Sequence, residues 1–425
     1  MRTMKDSGVE WLGEVPDSWS ISSLRRVARL KTGTTPEGAE YASEGDLAWV
    51  RPDDLVEEGG FILPTKFFSG IMAARSPVAQ IGSTLICAIG TIGKASFVHQ
   101  EVSFNQQITS VQPRGVEARF LFFLLSGARS EVESLSVGNV MHILNNSRFG
   151  ALKVAVPSDL GEQHAIAGYL DQETSRIDSL ISKKEQLIEK LLERRQALIT
   201  QVVTKGLDPN VPMKDSRVEW LGEVPEDWEA KPMYAVGIKN GKKNKGFLEQ
   251  NLLSLSYGRI IHKDINSEEG LLPESFDSYQ IVEPGDLIFR FTDLQNDQTS
   301  LRSGLVRSRG IITSAYLGFR PVGINPEFLA YLMRAYDVNK AFYSMGSGLR
   351  QSLKWQDVRT MQIPVPSLEL QKSFTHYLDQ ETSQIDTLVE KTRRAIELLK
   401  ERRQALITQV VTGKIDVRGF AGGNS

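Results

Sequence analysis

Two stretches, Met4–Trp19 (MKDSGVEWLGEVPDSW) and Met213–Trp228 (MKDSRVEWLGEVPEDW), are nearly identical and lie 209 residues apart. A longer pair follows at an offset of 208: Tyr169–Asp208 begins YLDQETSRID and contains ERRQALITQVVT, and Tyr377–Asp416 begins YLDQETSQID and contains ERRQALITQVVT again. One half-protein is therefore present twice in tandem, with a period far longer than that of a solenoid. Between the matching blocks the halves diverge, but Pro113, Gly115 and Phe120 still correspond to Pro321, Gly323 and Phe328. Uniform drift after duplication would not leave identical twelve-residue blocks beside unrecognisable stretches. The inserts are expected to share one fold with different surfaces.

The repeated C-terminal blocks read as long helices. From about Gly161 to Thr204 apolar residues recur at Leu170, Ile177, Leu180, Ile181, Leu187, Ile188, Leu191, Leu198 and Val202, with Gly168 as the only glycine after Gly161. The copy has Leu378, Ile385, Leu388, Val389, Ile396, Leu399, Leu406 and Val410. Spacings of three, four and seven make a stripe along one helical face, and some 40 residues at ~1.5 Å each reach about 60 Å. Such a stripe must be covered, and the sibling helix offers the matching one, so a coiled coil is predicted. Antiparallel pairing is favoured because it relates the halves by a pseudo-two-fold axis, with one insert at each end. Gly206, Pro209 and Gly413 are stop signals. The predicted division is residues 1–160, a first globular part; 161–205, the central helix; 206–367, a second globular part; 368–413, the C-terminal helix; and 414–425, a tail.

Composition narrows the function classes. A 425-residue chain with 24 % charged and 40 % hydrophobic residues is long enough for two or three cores. The formal net charge is −2, so no bulk attraction for nucleic acid exists and any such binding must come from local patches. The single cysteine, Cys87, excludes a disulfide framework and a multi-cysteine zinc site. No apolar run approaches the ~18 residues of a membrane span, and the first eighteen residues hold no secretory h-region. A cytoplasmic protein is expected.

Each insert mixes strand-like runs (Ser83–Ile89, Asp286–Phe291) with short helices (Phe120–Leu125, Phe328–Arg334), which predicts an α+β domain. Candidate polar readers gather in the loops. The first insert offers Arg25, Arg26, Lys31, Thr34, Thr35, Arg51, Thr91–Lys94, Asn105, Gln106 and Gln107. The second offers Lys239, Asn240, Lys242, Lys243, Asn244 and Lys245, then Arg290, Asp293, Gln295, Asn296, Gln298, Arg302, Arg307 and Arg309. Bidentate Arg suits guanine and Asn or Gln suits adenine, while Lys and loop amides hold phosphates. Lys239–Lys245 is the most cationic loop.

Catalytic motifs are missing from the sequence. Gly93-Lys94 resembles the end of a phosphate loop, but Ala88 stands where its first glycine belongs and Ala95 replaces the Ser or Thr. Pro52-Asp53 lacks the following Asp/Glu-x-Lys of a nuclease, and His99, His142, His164, His262 and His376 show no metal-ligand spacing. No Gly-rich cofactor loop and no Asn/Asp-Pro-Pro-Tyr/Phe tetrapeptide of an adenine methyltransferase is present. No active site is expected in this chain.

Taken in order, Val9–Trp19 and Val218–Trp228, Gly33-Thr34-Thr35-Pro36, Trp49–Leu55, Gly90–Lys94 and the duplicated helix ending in ERRQALITQVVT closely resemble the specificity subunits of type I restriction-modification systems over essentially the whole chain. The second insert lacks the Gly-x-Thr-Pro turn and the Trp-Val-Arg-Pro segment. The resemblance implies two target-recognition domains that read the halves of a bipartite, asymmetric site on double-stranded DNA, separated by an antiparallel coiled coil. It also implies two methyltransferase subunits docked on the repeated helices, through Arg194, Arg195, Gln196 and Gln201 and through Arg402, Arg403, Gln404 and Gln409, with restriction subunits joining them. S-adenosylmethionine, ATP and Mg would sit on those partners, and this chain would bind no metal or cofactor. The rival readings are a DNA methyltransferase or nuclease with its own unrecognised active site, and a purely structural coiled-coil scaffold.

Overall fold

The computed structural model describes residues 2–35, 41–56, 64–70, 77–137, 142–218, 220–265, 275–294, 301–343, 345 and 352–420. The chain divides into two compact units, Met1–Glu185 with Arg393–Ser425, and Gln186–Thr392. Each unit thus takes half of each long helix together with one globular insert.

In the first unit, β1 (Met4–Asp6) and β2 (Glu14–Pro16) form a hairpin whose turn uses left-handed Gly8 and Gly13. β3 (Trp19–Ser23) leads into the insert and β12 (Lys153–Pro157) leaves it, paired antiparallel from Trp19–Pro157 to Ser23–Lys153. Between them lies a four-stranded antiparallel sheet in the order β4 (Ala28–Thr32), β11 (Ile108–Pro113), β8 (Thr84–Cys87), β9 (Ala95–Phe97). A second sheet runs β6 (Lys66–Phe68), β5 (Leu47–Val50), β10 (Val102–Phe104), β7 (Val78–Ala79), with β5 and β10 parallel. The helix Ala118–Gly127 is capped by the Glu117 carboxylate and buries Phe120 through Leu125 without interruption. A helix apolar all round must be enclosed. Phe97 and Phe122 meet edge-on under it, and the long-helix residues Ile166, Leu170, Ile407 and Val411 join its core cluster.

The second unit repeats this plan. The hairpin β13 (Met213–Asp215) and β14 (Glu223–Pro225) has the register of β1–β2, and β15 (Glu229–Pro232) pairs with β24 (Gln362–Val365) as β3 does with β12. Its four-stranded sheet has the same order: β16 (Gly237–Lys239), β23 (Leu317–Pro321), β20 (Leu287–Phe289), β21 (Ser303–Leu305). Among the described residues its second layer comprises the hairpin β17 (Leu253–Ser256) and β18 (Arg259–His262), and the pair β19 (Gln280–Val282) and β22 (Gly310–Ile312). One parallel bridge, Leu252 to Ile311, stands where the first unit has the β5–β10 ladder. The unlike inserts therefore share one strand order, as the faint sequence correspondences predicted.

The two long helices are Leu160–Lys205 and Leu368–Val411. Asp159 and Ser367 cap their N-termini, accepting bonds from Gly161 and Glu162 N–H and from Leu370 N–H. Left-handed Gly206 and Gly413 end them. Their pairing is antiparallel within each unit. In the first, Ile166 and Leu170 cluster with Ile407 and Val411, and further along Asp178 meets Arg403. In the second, Val202 and Val203 cluster with Phe374 and Leu378, while Arg195 meets Asp386.

Candidate nucleic-acid and partner-docking surfaces

The first insert gathers most of its expected readers around the turn that follows β5. Arg51 opens a 3-10 turn over Pro52–Asp54. Buried Asp54 holds this turn by accepting from the Arg51 N–H at 2.8 Å and from the Thr65 hydroxyl at 3.0 Å. The Arg51 guanidinium donates to Thr65 Oγ1 at 2.8 Å and stays part-exposed. Lys94 reaches the same turn, its Nζ donating to the Pro52 carbonyl at 3.3 Å. Asn105 N–H donates to the Val50 carbonyl at 3.0 Å, and Thr34 N–H to the Phe104 carbonyl at 3.1 Å, so the Thr34–Thr35 and Asn105–Gln106 loops lie side by side. Thr35 Oγ1 donates to the Gln106 side chain. Only glycine fits at position 33, since an added Cβ would lie 2.1 Å from the Asn105 carbonyl oxygen. That contact explains the glycine of the Gly-x-Thr-Pro turn; Pro36 lies outside the described residues.

Thus Thr34, Thr35, Arg51, Lys94 and Gln106 form one polar cluster, and exposed Lys31, opposite Ser110 on β11, lies two residues from Gly33. Arg25 stands apart, bonded to the Gly150 carbonyl at 3.2 Å. Asn105 is a correction: its amide is buried and spent on Gln107, donating to Oε1 and accepting from N–H, which shapes the loop rather than presenting a base-reading edge. Tyr41 and Lys66, absent from the candidate readers named above, belong beside this face. Tyr41 is exposed, stacks on Trp49 at 4.7 Å and lies under Lys66 Nζ at 4.4 Å. Cys87 is a buried core residue whose burial pushes its thiol pKa up.

In the second insert Lys239, Lys242, Lys243 and Lys245 are all exposed. Their loop is anchored by Asn244, which is fully buried, clamps Glu249 through both amide atoms and donates its N–H to the Tyr279 carbonyl at 2.9 Å. Part of the charge is balanced locally: Arg309 bridges Glu249 at 2.9 Å and Glu283 at 3.0 Å, and Lys242 lies 3.8 Å from Glu283. Bonds from Asn251 N–H and Arg309 hold the Glu249 carboxyl below its ordinary pKa. Arg290 is part-buried, and exposed Arg307 pairs with Glu327 at 3.3 Å. Arg302 is the second correction. At 0 % exposure it donates to the carbonyls of Thr292 and Asp293 and supports the core, so it cannot reach DNA. Its neighbour Asp337 accepts from the Arg302 N–H, and burial raises the Asp337 pKa to about 6. Gln295, Asn296 and Gln298 lie outside the described residues.

The repeated helices place the expected docking residues in two groups. Arg195 and Arg403 face the sibling helix, bridging Asp386 and Asp178 at 3.0 and 2.8 Å. These are the same Arg and the same Asp of the two repeats, so part of the identity in ERRQ and in the Ile-Asp that follows each YLDQETS block is explained by packing of one helix on its copy. That corrects their reading as docking residues. Gln404 donates to the Ser126 carbonyl at 3.0 Å, and Gln196 to Thr200 at 3.3 Å. Arg194, Gln201, Arg402 and Gln409 remain exposed. The register sets Leu388, 50 % exposed, beside Glu193-Arg194, and Leu180, 41 % exposed, beside Glu401-Arg402. Each unit therefore shows the same apolar and charged patch. In the second, a shallow groove lined by Glu193, Ala197, Gln201 and Asn339 adjoins it.

Sequence reasoning also missed Gln163 and Gln371. Both are buried. Gln163 donates to the Pro157 carbonyl at 2.8 Å and accepts from Glu117 N–H at 2.7 Å; Gln371 does the same with Pro366 and Asn325, at 2.7 Å each. Each glutamine ties its long helix to the last strand and to the buried helix of its insert. The only sequence signal was their common offset of 208. Among the described residues no three His, Cys, Asp or Glu side chains gather as a metal would require, and no helix is long and apolar enough to cross a membrane.

Comparison with known proteins agrees with this geometry. A family model described as the type I restriction modification DNA specificity domain matches residues 16–190. The type I restriction enzyme MjaVIII specificity subunit of Methanocaldococcus jannaschii is 26 % identical over 318 residues, 71 % of each chain. The putative MjaX specificity subunit of the same organism is 26 % identical over 434 residues, 96 % of each chain. A solved structure from work on complex assembly and conformational transition of the type I restriction-modification system shares the fold. Its TM-score is 0.69 at 14 % identity, covering 94 % of this chain and 99 % of that one.

Proposed function

We infer that this chain is a member of the type I restriction-modification specificity-subunit family and is the subunit that selects the DNA sequence on which such a complex acts. One observation carries the reading: a single framework is built twice with matching caps, clamps and helix pairs, while the surfaces of the two inserts differ in every candidate reader. Identical segments serve identical partners, and unlike inserts read unlike half-sites of a duplex.

The first insert reads its half-site with the Thr34, Thr35, Arg51, Lys94 and Gln106 cluster, where Arg51 is held rigid by Asp54 and Thr65 and so keeps little entropy to lose on a base edge. The second grips the phosphate backbone with Lys239–Lys245 and reads with residues of its second layer. Because the net charge is −2, these patches rather than a bulk field attract DNA.

The patches around Leu180 with Arg402 and around Leu388 with Arg194 hold two methyltransferase subunits, with restriction subunits joining the assembly. The chain contributes no chemistry: S-adenosylmethionine, ATP and Mg belong to those partners. DNA, not a membrane, is its target, and the cytoplasm its compartment. Exchange of Arg25–Ala155 for the insert of another specificity subunit tests the reading. The expected result is a methylation pattern altered in one half-site only. Methylation that ignores sequence, or S-adenosylmethionine binding by the chain alone, overturns it.

A further inference from the structure

The second unit contains a pocket of about 530 Å³ to which neither the Lys239–Lys245 loop nor the Leu388 and Arg194 patch contributes a lining residue. One wall is a face of the first long helix, Leu192, Arg195 and Ile199; another is Glu327, Ala330, Tyr331 and Arg334, four residues at helical spacing on Pro326–Val338. The β17–β18 hairpin and β21 close the other sides. Four arginines converge there against two carboxylates. Arg195 is neutralised by Asp386 at 3.0 Å and Arg307 by Glu327 at 3.3 Å. Arg334 and Arg259 are left without a carboxylate within ion-pair distance among the described residues.

Arg334 is largely buried. Its Nη2 donates to the Gly258 carbonyl at 2.8 Å, yet its Nε has no hydrogen-bond partner. Burial, together with the charges of Arg195 and Arg259, lowers its pKa. The hairpin tip is shaped for this guanidinium: Gly258 is left-handed at φ +73°, and an added Cβ would lie 2.5 Å from Arg334 Nη2. Tyr257 beside it also adopts positive φ and is 78 % exposed. A cluster in which guanidiniums outnumber carboxylates, even with the field of Asp337 acting on Arg334, and in which one guanidinium donor is unbonded, is relieved by an anion. The volume falls within the range of pockets for small organic ligands, and Leu192, Ile199 and Leu301 offer an apolar surface.

We propose that this pocket binds a phosphate group, with Arg334 and Arg259 on the oxyanion and the apolar wall holding the body of a nucleotide-sized molecule. The site is confined to the second unit. At the offset of 208, Arg334 becomes Ser126 and Tyr331 becomes Phe123, so the pocket cannot serve a partner that docks twice. Its walls come from the insert and from both long helices of this unit, so occupancy clips the hairpin to the helices and raises DNA affinity at the second half-site.

The test is titration of the full chain, in complex with its methyltransferase partner, with pyrophosphate and with AMP by calorimetry, in wild type and in Arg259→Ala and Arg334→Gln. One saturable site per chain is expected, weakened on the order of tenfold by either change, the loss of one charge-assisted contact. Arg259 is exposed, so its variant keeps the test valid if Arg334→Gln misfolds. A specific duplex that displaces pyrophosphate assigns the phosphate to the DNA backbone, and a duplex that leaves it bound assigns a soluble ligand. Either supports the site. No saturable binding at millimolar anion, or binding unchanged in Arg259→Ala, overturns it.

Discussion

Gln163 in the first unit and Gln371 in the second make the same two hydrogen bonds to equivalent neighbours, whereas Arg334 and its counterpart Ser126 have nothing in common. The framework positions of the two units are fixed by what they must hold, namely a helix on its copy and an insert on its helix. The insert positions answer to different demands, and they have diverged until only strand order remains. Duplicated sequence thus marks duplicated mechanical work, and divergence marks where the molecule discriminates.

Perturbing each unit in turn tests this contrast, and the tryptophans make the units separable, with Trp11, Trp19 and Trp49 in the first and Trp220, Trp228 and Trp355 in the second. The largest effect is expected from Phe120→Ala and Phe328→Ala. Each removes a fully buried ring and should cost its own unit about 3–5 kcal/mol in denaturant unfolding. Unequal losses would show that the shared strand order hides unequal cores.

Asp337→Asn separates the units, because position 129 of the first unit is an arginine. The folded-state pKa of Asp337, about 6, lies above its unfolded value of 3.8. Its contribution to the stability of the second unit is therefore fully present below about 3.8 and is lost as pH rises through about 6, by up to about 3 kcal/mol. The asparagine variant should remove that slope while leaving the first unit's pH dependence unchanged. A slope that persists would mean another group causes it.

Gln163→Leu and Gln371→Leu each strand a buried N–H and a carbonyl and should cost about 2 kcal/mol, equally in the two units. If one glutamine proves silent, its clamp is not part of the shared framework. The smallest effect belongs to Arg195→Ala and Arg403→Ala. Their ion pairs with Asp386 and Asp178 are partly exposed, so each loss should stay within about 1 kcal/mol and shrink in high salt.

Much of the architecture could be read without coordinates. The stripe Leu170, Ile177, Ile181 is buried as its spacing required, and Gly206 and Gly413 end their helices in left-handed turns. Exposed Leu180 and Leu388 were assigned to the same stripe, because periodicity finds an apolar face but not the width of it that a partner covers. Arg302 read as a loop cation like Arg307. Its burial depends on carbonyls of Thr292 and Asp293, ten and nine residues earlier, which no local pattern reveals.

The duplication, the two long helices and the α+β inserts were legible in the order of residues, and antiparallel pairing was favoured there, because periodicity and repetition are local or one-dimensional properties. Only the packed fold reveals that Arg195 and Arg403 face inward to an aspartate of the sibling helix, that Asp54 and Asn105 build loops rather than act in them, and that Arg334 and Arg259 line one pocket. The helix ion pairs join residues 191 and 225 positions apart, and even a short-range contact such as Asn105 with Gln107 has its role set by which side chains the packed fold buries. Such encounters are fixed by the register of packed surfaces, which neither residue type nor spacing along the chain encodes.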